Sequence, residues 1–226
     1  MRANKLERIE AMDVDWTLIN RAKDLAEDQL DLPILQLPII PDYCRPLVNF
    51  LRPGMKILDI GANDRSLKAY LDRSLGFEVL YKSMDVDRSH NHDFYNLEEM
   101  QGQFDAIACF EVVEHMTPGM SLELFQRAYQ LLNLKGRIFV STPNVYHPTS
   151  FWSDSSHITP FRFRHLAGWL ATAGFSRFWC YRVCNLSWKM RWRYWRYRGL
   201  LRLLNIDFAP GILVVAEKLT SSSNAA

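Results

Sequence analysis

Short apolar runs and amphipathic stretches alternate along most of this chain. MKILDI, FEVLYKSMD, FDAIACF and RIFVSTP are brief, apolar and partly β-branched, as buried strands are. NHDFYN reads as a further short strand, the third in order, before FDAIACF. Helical spacing predicts a helix from Arg65 to Leu75 ended by Gly76, and one from Ser121 to Leu134 closed by Lys135-Gly136. A third runs from Pro160 to Ala173 and is ended by Gly174. FSRFWCYRV and GILVVAEKL are the last strands, expected as an antiparallel pair at one end of the sheet, with a basic, aromatic, helix-like insert between them. Asp42 is placed to cap a helix running to about Leu51. Upstream, residues 5–30 carry apolar positions at helical spacing (Leu6, Ile9, Met12; Leu18, Ala22, Leu25), and DLPILQLPIIP is extended and proline-punctuated. The alternation predicts a parallel sheet covered on both faces. The division expected is a helical extension or lid over 1–41, a main domain over 42–219 with its insert at 185–208, and a disordered tail over 220–226.

Composition narrows the class. The 226 residues suit one domain, and 48% hydrophobic with 13% aromatic residues supply a sizeable core. No apolar run approaches the roughly 20 residues of a membrane span. The charged N-terminus does not read as a signal peptide. Cys44, Cys109, Cys180 and Cys184 show no zinc-type pairing and read as reduced thiols of a cytoplasmic protein. Charge is distributed unevenly. Residues 155–206 hold ten Lys/Arg and no Asp or Glu, out of 27 and 25 in the chain, so the remainder carries a net charge of −8. The C-terminal part is therefore expected to meet something anionic.

Ligands of such sheets sit where the first strand turns into its helix. Here that turn is LDIGAND, with Asp59, Ile60, Gly61, Ala62 and Asn63. Gly61 allows a tight turn, and Asn63 is the residue after Gly that best tolerates left-handed backbone. Arg65 stands where a third glycine would let a dinucleotide pyrophosphate approach. A cofactor without phosphates suffers less from that side chain, which disfavours a nicotinamide dehydrogenase.

ILDIGAND, MDVD, FDAIACFEVVEHM and LLNLKGRIFVSTPN, in this order, resemble the class I S-adenosylmethionine-dependent methyltransferases, in particular the ubiquinone-biosynthesis O-methyltransferase-like branch. The resemblance covers about residues 42–183 and the last strand. It implies a Rossmann-like fold with a mostly parallel seven-stranded sheet, helices on both faces and an antiparallel last strand. It also implies S-adenosylmethionine as cofactor. Asp59 and the turn Ile60, Gly61, Ala62 and Asn63 would hold its methionyl part. Asp85, beside Val86, would take the ribose hydroxyls, since a carboxylate accepts two hydrogen bonds. Asp93 would face the adenine amino group with Phe94 against the ring, and Phe110 is counted with the cofactor-binding residues. Only 16 residues separate Asp87 from Phe104, too few for the usual helix there, which is expected to be a loop.

FEVVEHM adds chemistry. On a helix turn begun at Glu111, residues Glu111, Glu114 and His115 share one face. With His157 from SSHITPF they resemble the Glu-x-x-Glu-His and later His of metal-assisted O-methyltransferases acting on ubiquinone precursors or small-RNA ends. That likeness implies a divalent metal on Glu111, Glu114, His115 and His157. The alternatives left open are a metal-free base or orienter at His115 or His157, which the sequence favours, and purely structural roles.

Methyl transfer is a displacement at a sulfonium carbon, so the protein must orient the acceptor and take its proton. STPNVYHPTSFW would line the acceptor pocket, with Asn144 and His147 on acceptor hydroxyls and Tyr146, Phe151 and Trp152 as walls. The insert WKMRWRYWRYRGLLRLL interleaves aromatic residues and arginines, which suits the inner face of a membrane, RNA, or a lid or subunit contact. The expected activity is O-methylation of a small-molecule, sugar or lipid-linked acceptor. The alternatives are a metal-assisted RNA 2′-O-methyltransferase and a cofactor-binding protein without turnover.

Overall fold

A computed structural model describes residues 16–25 and 27–219. The expected helical stripe of Leu6, Ile9 and Met12 and the tail at 220–226 lie outside the described residues. Two helices, α1 (Trp16–Leu25) and α2 (Glu27–Leu30), precede a two-residue strand, β1 (Ile39–Ile40). Then come α3 (Cys44–Phe50), β2 (Lys56–Ile60), α4 (Ser66–Ser74), β3 (Leu80–Met84) and β4 (Phe104–Phe110). The chain continues through α5 (Pro118–Leu131), β5 (Leu132–Pro143), α6 (Phe163–Thr172), β6 (Arg177–Val183), α7 (Trp188–Leu204) and β7 (Gly211–Glu217).

The strands form one seven-stranded sheet in the order β1-β6-β7-β5-β4-β2-β3. All pairs are parallel except those that β7 makes with β5 and β6. Alternation along the central strands divides the core between the two faces. Leu58, Ile60, Ile107 and Cys109 point into one apolar cluster; Ile57, Ala106 and Ala108 point into the other. Because β7 alone runs backwards, β2, β3, β4, β5 and β6 all end at the same edge of the sheet, and the site is built there.

Three sequence expectations change. NHDFYN forms a single bridge, Met84 to Phe94, rather than a strand. The seventh strand is instead β1, from the proline-punctuated segment. Pro38 and Pro41 flank it without harm because β1 is an edge strand, bonded only to β6. The antiparallel strands are interior, since β6 is covered by β1 and β7 lies between β5 and β6. The helix expected to reach Leu134 ends at Leu131, because Leu132 already pairs with Phe104. Lys135, at φ 64°, and Gly136 make an irregularity within β5, not a helix stop. The Asp42 cap holds, its Oδ1 accepting the Arg45 amide at 2.9 Å. The loop after β3 replaces a helix, as the short spacing predicts.

Candidate active site

The turn after β2 is fixed from three sides. The amides of Gly61 and Ala62 both donate to the Met84 carbonyl, at 2.9 and 3.1 Å, which ties the turn to the end of β3. Gly61 is left-handed at φ 74°, and a Cβ on it would overlap Cγ2 of Val112. Asn63 is left-handed at φ 42°, as its residue type predicts, and its amide donates to Asp85 Oδ2 at 2.8 Å. Arg65 is also left-handed, φ 62°, which a long side chain gives no reason to expect. Asp85 Oδ1 accepts the Asp87 amide at 2.9 Å, leaving lone pairs on both oxygens for a ligand diol. Beside it Val86 is 76% exposed, an apolar side chain standing in solvent at the ligand edge.

Asp59 is buried and accepts the Tyr81 hydroxyl at 2.5 Å. Burial pushes its carboxyl up to about 7, the Tyr81 bond opposing and the Asp85 charge adding to the rise. Asp93 is engaged by the protein itself, accepting Lys82 Nζ at 2.6 Å and the Ser83 amide at 2.9 Å, with Arg65 at 3.8 Å. Its partial burial works upward, but the Lys82 and Ser83 bonds and the two cations hold it below the ordinary carboxylate range. Phe94 is a core residue, clustered with Met84, Met100 and Phe104. The open ring expected for an adenine contact is therefore absent, because the bridge to Met84 turns Phe94 inward. Phe110 packs half-buried with its ring 4.9 Å from Tyr43.

The segment after β4 departs from the expected helix turn. Glu111 takes φ 54°, its amide donating to the Ser141 carbonyl and hydroxyl and its Oε1 accepting that hydroxyl at 2.7 Å. Only Val113–His115 forms a turn, of the tighter 3-10 kind. Glu111 thus does not share a face with the other two. Glu114, His115 and His157 do meet, with one ligand atom from each within 4.8 Å of the others. The Glu114 carbonyl brings His157 there by accepting the amides of Ile158 and Thr159 at 2.7 and 3.1 Å. The two imidazoles stand edge to face, 4.9 Å apart. His157 Nδ1 lies 2.7 Å from the Phe151 carbonyl, and His115 Nδ1 lies 3.3 Å from that of Ser156. Those contacts favour a proton on Nδ1 and a lone pair on Nε2 in each ring. Glu114 is fully buried and neither carboxylate oxygen makes a well-formed hydrogen bond, although the Thr142 hydroxyl, itself unpartnered, lies close enough to act against the rise of its pKa. Burial, aided by the Glu111 charge, pushes its carboxyl up to about 8. A buried carboxylate with two bare oxygens beside two imidazoles is a donor set that fits a divalent cation.

The model of the methyltransferase-domain family matches residues 39–208, which include this whole edge. The chain belongs to this family. It is a class I S-adenosylmethionine-dependent methyltransferase. The mitochondrial ubiquinone biosynthesis O-methyltransferase of Saccharomyces cerevisiae is 30% identical over 41% of this chain and 35% of that protein, so the match spans about a third of the relative. A SAM-dependent methyltransferase from Archaeoglobus fulgidus superimposes with a TM-score of 0.61 at 15% identity, over 90% of this chain and all of that one. One from Mesorhizobium loti gives 0.55 at 14% identity, over 78% of this chain and 98% of that one. Phosphoethanolamine N-methyltransferase 2 of Haemonchus contortus, in complex with S-adenosylmethionine, gives 0.52 at 15% identity, over 79% of this chain and 52% of that one. These structures share the fold.

The loop after β5 in the methyltransferase differs from expectation at Asn144. That side chain is buried, donating to Asp207 Oδ2 at 3.0 Å and the Ala209 carbonyl at 2.8 Å and accepting the Tyr146 amide at 3.1 Å. It holds the loop to the exit of α7, and full burial keeps it from an acceptor hydroxyl. His147 caps a turn, its Nδ1 accepting the Ser150 amide at 3.2 Å, and burial lowers its pKa despite Asp207. Phe151 is buried 5.2 Å from the His157 ring, while Trp152 and half-buried Tyr146 remain open to a ligand. Three contributors escape sequence reasoning: Tyr81 on Asp59, Ser141 on Glu111, and the buried Arg182–Asp207 pair at 3.0 Å. None lies near its partner in the chain. The only local cue is that Ser141 and Thr142 are polar residues in an otherwise apolar strand end.

Proposed function

We propose that the methyltransferase transfers a methyl group to a hydroxyl of a small-molecule, sugar or lipid-linked acceptor, with His115 or His157 taking the hydroxyl proton. The observation that carries this reading is the meeting of Glu114, His115 and His157 beside the cofactor turn, to which Val112 joins them through its contact with Gly61. Asp59, Ile60, Gly61, Ala62 and Asn63 would cradle the methionyl part, and Asp85 and Val86 the ribose and base. Bound S-adenosylmethionine would supply the methyl group, its C–S bond breaking as the C–O bond to the acceptor forms and leaving a neutral sulfide. An Nε2 lone pair receives the proton. The O-methyltransferase named among the partial relatives supports oxygen as the acceptor atom.

A second reading is metal-assisted transfer, favoured by the two bare oxygens of Glu114. Glu114, His115 and His157 would hold the cation, which would supply Lewis-acid polarisation of the hydroxyl. Glu111 stays with Ser141 and would not join it. Lipid, glycolipid and RNA extracts incubated with methyl-labelled cofactor, followed by mass spectrometry, test the acceptor class. Label in an O-methyl ether of a lipid or sugar supports the proposal; label only in RNA, or only on nitrogen, refutes it. Activity lost on chelation and restored by a divalent cation would select the metal-assisted route.

A further inference from the structure

Helix α7 has 17 residues, yet Leu201 is its only fully buried one. Its ends are closed by its own caps. The Ser187 hydroxyl accepts the Met190 amide, and Asn205 is left-handed at φ 52°. Leu201 and half-buried Tyr194 mark the side toward the body. At about 100° per residue, the opposite side carries Trp188, Trp192, Trp195, Gly199 and Leu203 in one stripe. The apolar members of the stripe are 74, 58, 65 and 80% exposed, respectively. Lys189, Arg193 and Arg196 flank the stripe on one side, and Arg191, Arg198 and Arg202 on the other. No carboxylate lies within the helix. A cavity of about 440 Å³, lined by Ile39, Arg45, Cys184 and Tyr194 among others, lies between its first turns and the β1 edge, so this end stands off the domain.

A solvent-facing row of tryptophans between two rows of arginine is the arrangement of a helix lying in a lipid headgroup layer. Indole rings seat at the acyl boundary, and guanidinium groups reach lipid phosphates on either side. We propose that α7 docks the methyltransferase on an anionic lipid bilayer, with Trp188, Trp192, Trp195 and Leu203 inserted and the flanking cations on headgroups. Charge complementarity selects this occupant, because six cations without a counter-charge repel a second copy of the same helix face. Since β6 ends at the ligand edge, α7 lies at that edge too. Its exit is fastened to the loop after β5. The Asp207 amide donates to the Tyr146 carbonyl at 2.9 Å, and the Asp207 side chain bonds Asn144 and Arg182. Docking would therefore bring the loop that carries Tyr146 and His157 toward the bilayer surface. The docking does not depend on the acceptor assigned above.

Co-sedimentation with vesicles of phosphatidylcholine, with and without phosphatidylglycerol, tests it on the full chain. Wild type is expected to sediment with the anionic vesicles, with a blue shift of tryptophan emission and weakening by salt. Changing Arg193, Arg196 and Arg198 together to glutamine should weaken binding about a hundredfold, at roughly fivefold per charge. Changing Trp188, Trp192 and Trp195 together to alanine should abolish the blue shift and release the protein. These side chains are exposed, and calorimetry of S-adenosylhomocysteine should show unchanged affinity in both variants, separating loss of docking from loss of fold or cofactor site. The proposal is overturned by no sedimentation, by equal binding to neutral vesicles, or by full binding of the tryptophan variant. It is equally overturned if wild type ignores vesicles and instead binds an RNA oligomer, or forms a dimer that the tryptophan changes dissolve.

Discussion

Gly61 lies against Val112, with no room between them for a methyl group. This contact joins the turn after β2 to the segment carrying Glu114 and His115, so the parts of the site proposed to hold the cofactor and to accept the proton are packed as one unit.

Gly61→Ala should therefore fail twice, through left-handed strain of about 1–2 kcal/mol and through overpacking of about 1–3 kcal/mol. Adding Val112→Ala should recover the second part and not the first. Urea denaturation of the single and double variants checks this, and equal stability of the two would remove the steric contact from the explanation.

Glu114 gives a stability profile of known sign. Its carboxyl titrates near 8 in the folded chain against 4.5 for the ordinary group, so folding favours the protonated form. That contribution is complete below about 4.5 and is lost as pH rises toward about 8. Glu114→Gln keeps the shape without the titration. It should flatten this part of the pH–stability curve and make the protein more stable than wild type above pH 8 while impairing methyl transfer. Denaturation midpoints across this range would disprove the assignment if both proteins showed the same slope.

The Arg182–Asp207 pair is buried on both sides. Arg182 also donates to the carbonyls of Leu35 and Leu37 and to the Tyr194 hydroxyl, so it unites the N-terminal segment, β6 and α7. Arg182→Met should leave Asp207 charged and unpaired, costing about 3–5 kcal/mol. Chemical denaturation with a loss under about 1 kcal/mol, the value of an exposed pair, would show that the charge finds another partner.

The central strands are readable because strands buried on both faces are short apolar runs, and KILDI, FDAIACF and GILVVAE are such runs. Asn63 was readable because few residue types accept positive φ, and the same argument predicts that Asn63→Gly keeps cofactor affinity while Asn63→Val loses it. Arg65 and Glu111 share that backbone but are not types that announce it; their conformations come from Ala62 and Ser141. The Glu-His cluster was legible as a set of residue types. Its membership was not, because the turn begins at Val113 and leaves Glu111 behind. Asn144 and Phe94 differ from the sequence expectation for a common reason. Each has the right type and place for ligand contact, and each is claimed by a partner distant in the chain or by the core.

The most direct test is calorimetry of S-adenosylhomocysteine on wild type and Asp85→Ala. The account predicts micromolar binding to wild type, weakened in the variant by about 1.5–3 kcal/mol, the range for hydrogen bonds to a charged group. Absence of binding to wild type, or equal affinity in the two proteins, would contradict it.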